Sequence, residues 1–372
     1  MAKLLHIWVS LSDKHHLRRH SISFPGTRKF VSDDHDFLLS LARAEFIETV
    51  RLVGSYISLV LTGRCTDAQL RDFSVYFTRF GETGSDERRW VMTAREMDGK
   101  VDKMERLVCS TRELYKEMIE TVELERSLDK LSQKCRCSTS PENLRNKILL
   151  KKLKVKRLKT SSLWTQDLDT VTLILVRSTL TVLSRIKQVF QYFSHSQNTG
   201  FFESNLEALI PPPSTLGNAA LTLRYANLVV IIEKMVRSPR TIGPDLRDAL
   251  YSLLPVSLQS KLRSRLRCVT SCTVTDVRLA NQWRMALATI VDWLSPLAHN
   301  TLRWQSERSL EKRGGGSTDY FIRSSVLLLQ TLHFAVTEKV ETAMEELLVG
   351  LNYVWRFEME MAINHYHHGR ID

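Results

Sequence analysis

Apolar and polar positions along this chain recur mainly with the helical period, and strand-like alternation is scarce. Residues 3–20 place Leu4, Leu5, Trp8 and Leu11 on one side of a predicted helix, and Pro25-Gly26 breaks that pattern. Ser32-Asp33-Asp34 then offers N-cap candidates and negative charge at a helix start. That helix carries Phe37, Leu38, Leu41, Ala44, Ile47 and Leu52, runs to about Leu61 and ends at Gly63. A shorter helix is expected from Asp67 to about Phe80, followed by the loop Gly81-Glu82-Thr83-Gly84-Ser85.

The strongest periodic signal follows. Steps of four and three alternate through Trp90, Ala94, Met97, Val101, Met104, Val108, Thr111, Tyr115, Met118 and Val122, with Thr111 the polar exception. A heptad seam of this length predicts one helix from about residue 87 to 134, and the seam shifts after Val122 to Leu124, Leu128 and Leu131. At 1.5 Å per residue such a helix is roughly 70 Å long, so it must lie along other helices or along a partner. Cys135 to Pro141 is a polar break. Residues 142–159 form a basic helix with Leu144, Ile148, Val155 and Leu158 on one side and Lys151 intruding. A helix from Ser162 to about Phe193 precedes a linker, 194–213, that ends in Pro211-Pro212-Pro213.

Ser214 or Thr215 caps a buried helix through about Met235, and Pro239 and Gly243-Pro244 punctuate again. Short helices are expected at about 245–253 and 256–267, then a long one over 275–312 bent at Pro296, with Trp293 and Trp304 facing the same side. Gly314-Gly315-Gly316-Ser317 reads as a flexible linker. The last helix is expected from about Ile322 to Met361, before the tail His365-Tyr366-His367-His368-Gly369.

The fold class is therefore all-α, an elongated multi-helix bundle with long coiled-coil-like helices. The expected organisation is an N-terminal helical domain over 1–134, a basic linker and helix over 135–161, and a buried helix over 162–195. A Pro-ending linker over 196–213, a C-terminal helical domain over 214–362 and a tail over 363–372 complete it. The two most apolar stretches, Val171–Phe193 and Leu216–Ile232, contain Arg177, Arg185, Lys187 and Arg224, so both read as core helices and no transmembrane segment is expected.

Composition agrees with helices. There are 14 glycines and 9 prolines in 372 residues, too few for a sandwich, a barrel or a disordered chain. The six cysteines form no disulfide framework, and the N-terminus lacks the apolar core of a secretory signal, so an intracellular, reducing setting is expected, in the nucleus or at the cytoplasmic face of the plasma membrane. The net charge is +12 and unevenly placed: ten Lys or Arg and one acid, Glu142, lie between Lys134 and Lys159. Lys261, Arg263, Arg265 and Arg267 form a second acid-free cluster beside Leu258, Leu262 and Leu266.

Phosphate-cradling glycine loops, the nucleophile elbow and the paired-histidine zinc helix are all missing from the sequence. Gly314-Gly315-Gly316 lacks the Lys-Ser/Thr of a nucleotide loop. Cys135-x-Cys137 and Cys268-x3-Cys272 lack the paired spacings and nearby histidines of a zinc site and read as ordinary reduced cysteines. The tail histidines read as a frayed end. His299, Arg303 and Glu307 share one helix face, where Arg303–Glu307 reads as a surface ion pair rather than part of a catalytic set. No catalytic residue, cofactor, metal or small-molecule substrate is expected.

The basic segments carry the alternatives: a solvated charged face, or an anionic surface bound through Lys151, Lys152, Lys154, Lys156, Arg157, Lys159, Lys261, Arg263, Arg265 and Arg267. That surface is an anionic membrane or an acidic protein. No specific nucleic acid is expected, since the first basic segment has no aromatic residue to stack on bases. Phosphate on Ser140, beside Pro141, would remove nearly two units of the local positive charge.

Several stretches resemble a known family. They include Lys3-Leu4-Leu5-His6-Ile7-Trp8, Val31-Ser32-Asp33-Asp34, Pro212-Pro213-Ser214-Thr215-Leu216-Gly217, and Asp248-Ala249-Leu250-Tyr251-Ser252-Leu253-Leu254-Pro255. The most distinctive is Trp293-Leu294-Ser295-Pro296-Leu297-Ala298-His299-Asn300, continuing Arg303-Trp304-Gln305-Ser306-Glu307-Arg308; Glu346-Leu347-Leu348-Val349-Gly350-Leu351-Asn352-Tyr353-Val354-Trp355-Arg356 completes the set. Over nearly its whole length the chain resembles the plant PSK simulator proteins, a family implicated in growth promotion and phytosulfokine peptide-hormone signalling. The resemblance implies a non-enzymatic plant growth regulator acting through protein partners, with no catalytic residues to carry over. Residue 2 is Ala2, so the N-terminal glycine that suits some members to myristoylation is absent. The preferred partner-contact residues are Trp293, His299, Asn300, Arg303, Trp304, Glu307 and Arg308.

Overall fold

A computed structural model of the chain describes residues 1–12, 24–134, 141–191, 203–238, 244–269, 276–313 and 326–368. The fold is an all-α assembly of many helices. A single antiparallel bridge, Thr215 to Val336, is the one β pairing among the described residues. The chain folds as two compact units, each assembled from separated stretches.

The first unit takes Met1–Leu17, Arg43–Ala208 and Ser309–Ser325. Its helices are α1 (Ala2–Ser12), most of α3 (His35–Tyr56), α4 (Ala68–Arg71), α5 (Phe73–Thr83), α6 (Ala94–Lys134), α7 (Pro141–Ser161), α8 (Leu168–Gln191) and α9 (Glu203–Ala208). α8 is the central element. Val176, Leu180, Val182, Leu183 and Ile186 are buried, and so are Ser178, Thr179 and Thr181. Those hydroxyls are satisfied: Thr179 donates to the Leu175 carbonyl at 2.7 Å, and Thr181 donates to Arg177 O while accepting Met92 N–H at 2.9 Å.

The long heptad helix starts later than its periodicity predicts. Asp86 gathers the Tyr76 hydroxyl at 2.5 Å and the amides of Trp90 and Val91 at 3.0 and 2.7 Å, which folds residues 86–91 into a loop. Thr93 and Glu96 then form a reciprocal cap: Glu96 accepts the Thr93 amide at 2.8 Å and Thr93 Oγ1 accepts the Glu96 amide at 3.3 Å. The helix therefore begins at Ala94 and Trp90 is buried from a loop. Its buried positions are Met97, Met104, Leu107 and Leu114, then Glu117 and Thr121, whereas Tyr115 and Val122 are exposed. Beyond Met104 the buried positions thus fall one residue before the predicted seam, on the side where Lys151 and Lys154 of α7 pair with Glu117.

The run His35–Arg64 is long and apolar enough to cross a membrane by length and composition, a feature the two stretches singled out in the sequence do not include. It also bears core residues, among them Leu41, Phe46, Ile47, Val50 and Ile57, with Phe46 ringed against Phe190 at 6.4 Å.

The second unit takes Arg18–Ala42, Leu209–Arg308 and Val326–Asp372. It contains α2 (Pro25–Phe30), α10 (Thr222–Arg237), α11 (Pro244–Leu253), α12 (Val256–Val269), most of α13 (Val277–Arg313) and α14 (Thr337–His368). Its core joins Phe30, Leu216, Tyr225, Val229, Ile232, Leu258, Leu287, Leu294, Leu297, Leu332, Val340, Met344 and Leu347. Pro296 lies inside α13, as the sequence predicts. The final helix does not begin near Ile322. Residues 326–336 form two 3-10 turns, Leu328–Gln330 and Leu332–Phe334, and α14 starts at Thr337. The backbone there pairs with other strands of chain: Leu216 N–H reaches Ala335 O, Gly217 N–H reaches His333 O and Val336 N–H reaches Phe30 O, each within 3.0 Å. Long-range pairing of these groups replaces the helical ladder.

Candidate functional site

α13 carries the preferred contact residues, and most of them turn toward the second unit's own interior. Trp293 is half-buried, with the Lys29 ammonium 5.5 Å above its ring. A Cβ at Gly26 would stand 2.1 Å from the Trp293 carbonyl oxygen, so the close approach of α2 requires glycine. Asn300 Nδ2 donates to Gln330 O at 3.1 Å. Thr301 Oγ1 accepts the buried Leu332 amide at 2.9 Å. Trp304 lies 6.1 Å from the His333 ring. One face of α13 thus clamps the irregular segment 326–336.

His299 and Arg303 are exposed. The carboxylate beside His299 is Glu233 on α10, at 2.7 Å, and not Glu307 on its own helix. Glu233 is buried and also pairs with Arg237 at 2.6 Å. Burial would raise its pKa, but the neighbouring Ser295 hydroxyl and the His299 hydrogen bond outweigh that and hold it below the ordinary glutamate value. Glu307 is half-buried, and the Arg308 side chain lies outside the described residues.

The basic residues divide in two. On α7, Lys151 meets Glu117 at 2.7 Å and also Glu120; Lys152 meets Glu125 at 2.8 Å; Lys154 meets Glu113 at 2.8 Å and Glu117 at 2.9 Å. These pairs zip α7 to α6. Glu117 is 5% exposed, which alone would raise its pKa, yet the two lysines hold it low and their own values rise. Lys156 and Arg157 are exposed, and Lys159 covers the Trp164 ring at 4.8 Å. On α12, Lys261 meets Glu341 at 3.0 Å, and Arg265 meets Glu346 at 3.1 Å and Glu345 at 3.7 Å. Arg263 bonds and covers Tyr251, and Arg267 is exposed.

Sequence reasoning missed one cluster. Glu341, buried near the start of α14, accepts from Tyr225 at 2.9 Å, Ser257 at 2.6 Å and Lys261 at 3.0 Å. It ties α10, α12 and α14 together. Burial works against its charge, but Ser257, Lys261 and Tyr225 overcome this and keep it ionised below the usual range. Burial first, and the adjacent carboxylate second, drive the Tyr225 hydroxyl well above its ordinary value. A glutamate between Val340 and Met344, beside the apolar stripe of the last helix, is the signal that was available. Among the described residues no group of three or more His, Cys, Asp or Glu could hold a metal ion. Cys135, Cys137, Cys272, Ser140 and the 314–317 linker lie outside the described residues, as do the side chains of Cys268, His365, His367 and His368.

Residues 215–303 match a protein family of unknown function, DUF668, and residues 1–46 match a domain of unknown function, DUF3475. From Arabidopsis thaliana, Protein PSK SIMULATOR 1 is 28% identical over 95% of this chain and 53% of its own length. PSK SIMULATOR 2 is 24% identical over 90% of the chain and 54% of its own, and PSK SIMULATOR 3 is 25% identical over 88% and 50%. Along about nine tenths of its length the chain is similar to the plant PSK simulator proteins. It spans about half the length of the curated PSK simulator proteins it matches. No solved structure matches it. The DUF668 match covers α10 to the middle of α13, so it includes Tyr225, Glu233, Lys261 and the first half of the α13 clamp.

Proposed function

We propose that this chain is a non-enzymatic helical scaffold or adaptor in plant growth regulation of the phytosulfokine type. The observation that carries the reading is likeness along nearly the entire chain to three proteins named PSK SIMULATOR. The site geometry supports it from another side. The buried Glu117 and Glu341 are each neutralised by lysines on other helices, and the buried Glu233 pairs with Arg237 on its own helix while bonding His299 of α13, an arrangement that fixes helix packing. A reactive group poised for chemistry would be held in the opposite state, with its pKa moved toward neutrality. The expected role is to present helix surfaces to protein partners.

The test is expression of this chain in Arabidopsis thaliana lacking the PSK simulator proteins, with growth as the readout. Restored growth is the expected outcome. A chain that accumulates at normal levels yet leaves growth unrestored would remove the reading.

A further inference from the structure

α7 has two faces of opposite character. The inner face, Leu144, Ile148, Lys151, Val155 and Leu158, recurs at helical spacing, with Ile148 and Leu158 buried and the lysine paired to α6. The other face exposes Leu149, Leu150 and Leu153 at 59%, 68% and 59%. At 100° per residue these three leucines sit opposite the buried stripe. Arg145, Lys156 and Arg157 surround them, all exposed, and no ion pair to them occurs among the described residues. Glu142 is the one acid in the helix. The carboxylates of α6 that could offset this charge, Glu113, Glu117, Glu120 and Glu125, are engaged by Lys151, Lys152 and Lys154. Just past the helix, Trp164 is 62% exposed.

We propose that this outer face of α7 docks on an anionic membrane surface, with the leucines entering the interface and the three cations meeting lipid headgroups. Exposed leucines flanked by Arg and Lys are the pattern of an interfacial helix, and a nearby exposed tryptophan suits the same boundary. Charge complementarity requires an anionic occupant. Leu149, Leu150 and Leu153 form a convex ridge on one helix, which a deformable bilayer accepts and a protein partner would have to match with a groove. The residues differ from those that the basic composition alone points to: Lys151, Lys152 and Lys154 are spent inside the unit, and Arg145 and the leucines take their place. The inference stands apart from the signalling reading, because partner capture does not require lipid contact.

The test is flotation of the full chain with phosphatidylcholine vesicles, with and without phosphatidylserine, at low and high salt. Binding is expected only with phosphatidylserine and should fall with salt. Each juxtamembrane cation is worth roughly fivefold, so Arg145→Gln, Lys156→Gln and Arg157→Gln together should weaken binding about 100-fold. Leu149→Ala, Leu150→Ala and Leu153→Ala together should weaken it at least ~10-fold. Lys103→Gln, Arg106→Gln and Lys130→Gln remove equal charge from exposed positions on α6 and should leave binding nearly intact. All of these side chains are exposed, so the variants should fold, which circular dichroism checks. No binding to phosphatidylserine vesicles, equal loss in the α6 control, or indifference to the leucine changes would each overturn the proposal. So would binding of polyglutamate through this face without vesicle binding, which would assign it to an acidic protein.

Discussion

Glu341→Ala removes the carboxylate that three helices share. The Tyr225 residue is 0% exposed, so its hydroxyl cannot turn to water once its acceptor is gone. An orphaned buried hydroxyl costs about 1–3 kcal/mol. Lys261 behaves differently: its side chain is 44% exposed, so its ammonium can rehydrate and adds little. Ser257 is exposed as well. Loss of the glutamate γ-methylene at a buried position adds about 1 kcal/mol. The total is about 2–4 kcal/mol, which for a unit of this size lowers Tm by roughly 4–16 °C. Differential scanning calorimetry reads the shift. Adding Tyr225→Phe to the variant removes the orphan and should recover about 1 kcal/mol, since deleting both partners is milder than deleting one. A Tm change below about 1 °C, or no recovery in the double variant, would refute the hub.

The carboxylates of Glu117, Glu233 and Glu341 all have folded-state pKa values below their ordinary value of 4.5. Their stabilisation is present above that value and is lost as pH falls through the lower folded values, so urea midpoints should hold steady toward pH 5 and drop below about pH 4.5. A midpoint that rises on acidification would contradict the sign. Gly217→Ala places a Cβ 2.4 Å from the His333 carbonyl oxygen, beside the Thr215–Val336 bridge. It should cost about 2 kcal/mol or more, seen as a lowered urea midpoint, while an alanine at the open position Gly63 should cost nothing of that kind.

Helix content was legible because apolar spacing over tens of residues outweighs local detail; α8, α13 and the cores of α10 and α14 follow from it. Neither Ser214 nor Thr215 caps α10, which starts at Thr222, since Thr215 is bridged to Val336. Two other boundaries escaped for specific reasons. The start of α6 is set by Asp86 collecting amides and by the Thr93–Glu96 cap, and the cap was visible as Thr-x-x-Glu once the apolar seam was not followed through it. Residues 326–336 are apolar enough for a helix, yet their amides and carbonyls are claimed by Phe30, Leu216 and Gly217, more than a hundred residues away in sequence. No local rule shows that. The charge clusters were found correctly as clusters, but their pairing was not, because Lys151 and Glu117 are 34 positions apart and meet only when α7 folds back on α6. The distinctive α13 residues read as surface for a related reason: Asn300 and Trp304 look polar or amphipathic, while their partners are a backbone group and a ring on a distant segment.

The central structural claim is that the family's most distinctive stretch serves to clamp residues 326–336. Hydrogen exchange at the Leu332 amide in Asn300→Ala combined with Thr301→Val tests it most directly, since Thr301 Oγ1 is the acceptor of that amide. The account predicts faster exchange through 326–336 with the helices of the first unit unchanged. Exchange at Leu332 as slow as in the parent chain would contradict it.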